Sequence, residues 1–214
     1  MHEDVMLVSE ASDVERAVFY KKTYLHVAIA ILSFIVVEGF LLRTVPEELI
    51  VQMISGKFIW LFIIGLFWLG SMLADKLAFS VSRNTQYLGL GLFVLLEAII
   101  FLPILYIALV ITDSGAIVQQ AAVITLFMFG GLTAVVFMTK KDFSFLRSAL
   151  VIGGFVALGL IVAGAIFGFN LGLWFSVAMV ALAAGSILYQ TSEIKNKYAT
   201  GQYVGGALQR FSSV

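Results

Sequence analysis

The chain contains no cysteine, two prolines and two histidines, and Asp, Glu, Lys and Arg together make up only 12% of its 214 residues. Without cysteine there is no disulfide, no thiolate metal site and no cysteine nucleophile. The histidines are His2 and His26, neither in a His-Glu-x-x-His spacing, so a zinc-protease helix is excluded. A formal net charge of zero leaves no basic face for a nucleic-acid duplex. No Ser-His-Asp or paired-carboxylate set can be assembled from the polar residues. Gly89-Leu90-Gly91 and Gly130-Gly131 match no phosphate loop, because neither lies between a strand and a soluble helix. These absences point away from an enzyme, and neither a cofactor nor a metal site is expected. The first 22 residues are polar and rather acidic (Glu3, Asp4, Glu10, Asp13, Glu15), unlike the basic start of a signal peptide. The first apolar run is therefore expected to stay as an uncleaved anchor.

What the chain does have is apolar length. Apolar residues make up 61% of it and its mean hydropathy is +1.05, against roughly half apolar for a soluble domain. A bilayer-crossing helix needs about 20 largely apolar residues, since each rises about 1.5 Å through a hydrocarbon core of about 30 Å. Six runs meet that rule, at 23–42, 58–74, 87–111, 116–138, 148–169 and 171–190. Lipid offers no partner to backbone polar groups, so these runs must be helices or a closed barrel, and they lack the two-residue alternation of barrel strands. The fold class expected is all-α: a polytopic membrane helical bundle. It divides into a polar amino-terminal tail, 1–22, and a single transmembrane domain, 23–214.

The gaps between runs set the orientation. Arg16, Lys21 and Lys22 precede the first run, Lys76 and Arg83 follow the second, Lys140, Lys141 and Arg147 follow the fourth, and Lys195 and Lys197 follow the sixth. The other gaps hold only Arg43 and Lys57. Basic loops stay in the cytoplasm, so the amino terminus is expected there, in a multi-pass plasma-membrane protein.

Ionisable groups at membrane depth are candidates for function, because each costs at least about 2.5 kcal/mol to insert. Glu97 lies about ten residues, or roughly 15 Å, into the third run, with Pro103 beyond it to free a backbone carbonyl. It is either an ion site or a protonated acid bonded to a neighbouring helix. Glu38, near the outer end of the first run, is expected to reach water or pair with Arg43. His26 reads as an ordinary interfacial histidine, and Asp75, Lys76 and Asp142 as solvated loop-edge groups. Gly164, Gly168 and Gly172 recur every fourth residue, the pattern that lets helix backbones approach closely, and are read as packing ahead of a dimer seam.

Two segments carry a family resemblance. Thr139-Lys140-Lys141-Asp142-Phe143-Ser144-Phe145-Leu146 resembles the loop between the fourth and fifth spans of bacterial members of the Bax inhibitor-1 family. Ile187-Leu188-Tyr189-Gln190-Thr191-Ser192-Glu193-Ile194 is similar to that family's sixth-span ending. The resemblance covers the chain from about Tyr24 onwards. It implies a seven-helix bundle with a central helix, in the bacterial inner membrane. It also implies a calcium-leak or pH-sensitive cation pathway, a cytoprotective role, or, in some bacteria, a partner that modulates a membrane protease.

In the family picture two acids share a proton and hold a cytoplasmic gate, since two close carboxylates cannot both ionise cheaply. Here the matching positions are Gln190 and Gln209, and glutamine does not titrate. A contact between them could close the gate without sensing protons. Only about eleven residues of a seventh segment follow the last loop, reaching about 16 Å. The expectation is six clear transmembrane helices plus a short seventh: either the chain is truncated relative to the family, or its last segment lies at the membrane interface. Three functions follow: a passive cation leak using Glu97 and Glu38, a regulatory protein docked on another membrane complex, and a proton-coupled transporter. The last is least favoured, for want of inverted repeats.

Overall fold

The computed structural model describes residues 6–139 and 143–213; His2 and the Lys140, Lys141 and Asp142 part of the basic loop lie outside them. The side chains of Lys57 and Lys197 also lie outside the described set. The described residues form eight α-helices and contain no strand beyond an isolated bridge between Leu7 and Ala199.

Each expected span is found as a helix. α1 (Asp13–Thr44), α3 (Lys57–Ala78), α4 (Arg83–Tyr106), α5 (Gly115–Met138), α6 (Leu146–Phe167) and α7 (Gly172–Lys197) follow one another across the bundle. Among the described residues, five helices are long and apolar enough to cross a membrane. α3, with four side chains outside the described set, supplies a sixth of 22 residues, about 33 Å long.

Helix ends have local causes. α1 starts ten residues before its apolar run because Ser12 and Glu15 form a capping box: Glu15 N–H donates to Ser12 Oγ (3.3 Å) and Ser12 N–H to Glu15 Oε2 (3.0 Å). The stretch read as a tail, 1–22, is therefore helical from Asp13, and Val8, Ala11 and Phe19 in it are buried. Pro103 sits inside α4 and cannot donate to the carbonyl a turn earlier; a π turn, Ile107–Ile111, follows and ends the span.

The glycine repeat is not a packing stripe. α6 ends at Phe167, Gly168 caps it with φ +74° and Gly172 has φ +71°, so Gly164, Gly168 and Gly172 bracket a turn and never share one helix face. Close approach occurs instead at Gly89 of α4, where a Cβ would lie 2.5 Å from the backbone nitrogen of Ala78 and 2.6 Å from the carbonyl of Ala74 in α3.

Two short helices complete the bundle. α2 (Glu47–Ser55), in a gap read as loop, folds back over the ends of α1 and α4, burying Ile50 against Leu102 and Tyr106 beside Leu41 and Leu42. α8 (Tyr203–Phe211) is the central element. Seven of its nine residues are buried, and it packs on α1, α3, α4 and α7. Val204, Leu208 and Phe211 join Ala30, Ala74, Ala78, Leu90 and Phe93 in one core. The surface-lying alternative for the last segment is thus corrected: Gly205, Gly206 and Ala207 make the helix slim enough to enter between its neighbours.

The basic gaps meet at one end of the bundle. Val8 N–H donates to the Tyr198 carbonyl (2.8 Å), Arg83 Nη1 to the Gly201 carbonyl (3.0 Å) and Lys195 Nζ to the Thr139 carbonyl (3.0 Å).

Candidate functional site

The interior of a membrane bundle is apolar by default, so its polar atoms mark where chemistry can occur. Glu38 is the first. One turn beyond it, Leu41 and Leu42 pack beneath Ile50 of α2; Glu38 is 4% exposed, and among the described residues neither carboxyl oxygen is hydrogen bonded. Neither water access nor a pair with Arg43 is found among the described residues; Arg43 is exposed while Glu38 is buried.

Glu97 is half-buried on α4, among the buried Phe93, Val94 and Ala98. Among the described residues it has no hydrogen-bond partner, and nothing joins it to Glu38. The two acids therefore sit as separate polar points along the bundle.

At the other end, Gln190 and Gln209 are not brought together. Gln190 Nε2 donates to Ser186 Oγ on its own helix (3.3 Å), and among the described residues its Oε1 has no partner. Gln209 Nε2 donates to Asp75 Oδ1 of α3 (2.5 Å). Asp75 is thus half-buried and bonded, not a solvated loop-edge group, because α8 brings Gln209 against the last turns of α3. The acid needed to make this contact lay outside any motif and was not anticipated.

Arg210, the next residue, is completely buried. Its Nη1 donates to Thr191 Oγ1 and to the Ile187 carbonyl (3.4 Å), and the Thr191 hydroxyl in turn donates to the same carbonyl (2.6 Å). Among the described residues Nε and Nη2 have no partner. Among the described residues no carboxylate pairs with it, and the groups that interact with it electrostatically are the phenols of Tyr24 and Tyr198. Burial pushes the Tyr198 phenol up to about 12, so it stays neutral and cannot act as counterion. The sequence signal for this site was available only as an Arg inside a small-residue segment that has to insert.

His26 lies outside this interior. Its Nδ1 is 2.7 Å from the Lys22 carbonyl and its ring stacks on Tyr87 at 5.6 Å. Tyr203, 5.2 Å from the same ring, also takes the Lys22 ammonium and Arg83 guanidinium on its face, at 5.1 and 4.2 Å.

The two segments that resemble the Bax inhibitor-1 family clasp each other. Phe143 N–H donates to Ser192 Oγ (3.1 Å) and Ser144 Oγ to Glu193 Oε1 (3.4 Å), tying the loop after α5 to the end of α7. A family model described as "Inhibitor of apoptosis-promoting Bax1" matches residues 16–214. The chain belongs to the Bax inhibitor-1 family. It is similar to an uncharacterized protein of Pseudomonas aeruginosa, 38% identical over 93 residues, which is 43% of this chain and 42% of that protein. The chain thus spans about two-fifths of the length of that curated relative. No solved structure matches it. For a Bax inhibitor-1 family chain the match includes α8, so the central helix and the clasped loops belong to the matched region.

Proposed function

We propose that the chain is a passive cation leak, with calcium as the candidate ion, held shut by α8 at the end of the bundle where the basic gaps meet. The observation that carries the reading is Glu38. An acid buried with both oxygens unpartnered among the described residues has no structural bond there to account for it, and a cation in transit would supply the missing partner. Glu97, half-buried and unbonded along α4, is the second stop; two isolated carboxylates suit transit, since a conducting site must release its ion. Shutting is assigned to α8, with Gln209 latched to Asp75 and the Arg210 charge repelling cations behind it. Neither glutamine titrates, so Gln190 and Gln209 contribute no proton sensing themselves. The reading involves no catalysis, and it places the chain in the bacterial inner membrane with the basic end in the cytoplasm.

Liposomes loaded with a calcium dye test it. Influx above lipid background should fall several-fold in Glu38→Gln and in Glu97→Gln, and rise in Gln209→Leu as the latch is lost. Equal influx from all four proteins removes the acids from the pathway. Influx from none favours the regulatory reading, a non-conducting protein that binds a membrane complex such as a protease. α6 supports that second reading: it packs only on α7 among the described helices and leaves Gly154 and Gly159 with open space where a side chain would be.

A further inference from the structure

Lys22 of α1 and Arg83 of α4 bring two positive charges to the ring of Tyr203, the first residue of α8, and among the described residues no carboxylate pairs with either. Both lie so close to one ring that they fall within about one screening length, ~10 Å, of each other. Of the Arg83 guanidinium only Nη1 is engaged, donating to Gln86 Oε1 (2.6 Å) and to the Gly201 carbonyl (3.0 Å). Among the described residues its Nε and Nη2 donors have no partner, and the exposed Lys22 ammonium makes no hydrogen bond. The positive ends of two helices add to the same potential. Arg83 and Tyr203 begin α4 and α8, and neither first turn carries an acid or a side-chain cap.

These charges sit at the edge of the bilayer. Lys22 immediately precedes the first apolar run, and Tyr87, whose ring stacks on His26, begins the third. Leu25 and Leu88 beside them are exposed, as side chains facing lipid are. Along α4, Arg83, Tyr87 and Gly91 recur every fourth residue and so share one stripe, about 12 Å long. Gly91 is exposed, and no atom lies within 4 Å of where its Cβ would be. The stripe therefore runs from open cationic donors, past a partly exposed aromatic ring, to a bare length of backbone within the hydrocarbon. A phospholipid presents its phosphate, glycerol and acyl chain in that same order.

We infer that an anionic phospholipid binds where α1, α4 and α8 meet at the basic end, with its phosphate on Lys22 and Arg83 and an acyl chain over Gly91. Basic clefts between transmembrane helices bind such headgroups by charge and open donors together. The lipid bridges α1 and α4 across the first turn of α8 and so holds the central helix in place. The site does not depend on the cation-leak reading, since it needs no conduction and uses neither Glu38 nor Glu97.

The test is the thermal midpoint of the full chain in a neutral detergent, titrated in parallel with phosphatidylglycerol, with phosphatidylcholine and with water-soluble glycerol phosphate at matched ionic strength. A ligand that binds only the folded state raises the midpoint saturably, and the rise is expected with phosphatidylglycerol alone. Lys22→Gln breaks no hydrogen bond, and its half-saturation should move about fivefold higher. Adding Arg83→Gln should move it further; should that variant not fold, Lys22→Gln decides. Gly91→Leu keeps both charges and fills the chain's track, so it should weaken phosphatidylglycerol several-fold. An equal rise with phosphatidylcholine or with glycerol phosphate overturns the assignment to an anionic lipid. No rise with phosphatidylglycerol overturns the site, as does a half-saturation unchanged in every variant that folds.

Discussion

Gln209 and Arg210 are adjacent in sequence and face different helices, since successive residues on an α-helix point about 100° apart. One reaches Asp75 on α3 and the other Thr191 on α7, so a single turn of α8 ties the centre of the bundle to two of its walls. The two bonds differ in what their loss would leave behind. In Gln209→Leu, the Asp75 carboxylate keeps its place and loses its donor, and the cost should be about 1–3 kcal/mol, that of leaving a polar group unsatisfied. Denaturation of the detergent-solubilised protein measures it, and the double variant Gln209→Leu with Asp75→Leu should recover part of the loss. Glu38 should behave in the opposite sense. Both its oxygens are already unpartnered, so Glu38→Met should stabilise the fold by about 1 kcal/mol or more, a gain visible as a higher thermal midpoint. A lower midpoint would mean that the carboxyl has a partner in the membrane.

At the scale of elements, the crossing of α3 and α4 is set by Gly89, not by the glycine-rich part of α6 and α7. Lipid gives apolar helices no reason to avoid solvent, so contact depends on how closely backbones approach. At Gly89 the atoms in the way are backbone nitrogen and carbonyl of α3, which cannot rotate aside as a side chain can. Gly89→Ala should therefore cost about 1–3 kcal/mol through overpacking. Gly91→Ala, two residues on with nothing within 4 Å, should leave stability unchanged or slightly raised. Equal effects of the two substitutions on the unfolding midpoint would contradict this crossing. α2 illustrates a different dependence. Its nine residues are too few to cross lipid, and their only buried residue is Ile50, so it exists as a cap on α1 and α4 and not as an independent helix.

At the scale of the molecule, the basic gaps gather at one end, which makes topology directly testable. The native chain has no cysteine, so single substitutions need no altered background. Val81→Cys, fully exposed between α3 and α4, should react with an impermeant maleimide only from the cytoplasmic side; Leu49→Cys on α2 should react only from the other. Labelling of both from one side would overturn the alternation. Much of this scale was legible in the sequence, because a helix in lipid must be apolar for its whole length and basic loops resist translocation; both properties are local and additive along the chain. Six spans, their order and the family resemblance needed nothing more. The interior was not legible in the same way. Glu38 read as open to water although folding leaves its carboxyl buried in the bundle, and Asp75 read as solvated because only α8 brings Gln209 to it. Hydropathy ranks each residue against lipid one at a time. Which polar atoms face each other inside the bundle depends on how the helices rotate about their axes, and that is decided by packing between segments far apart in the chain.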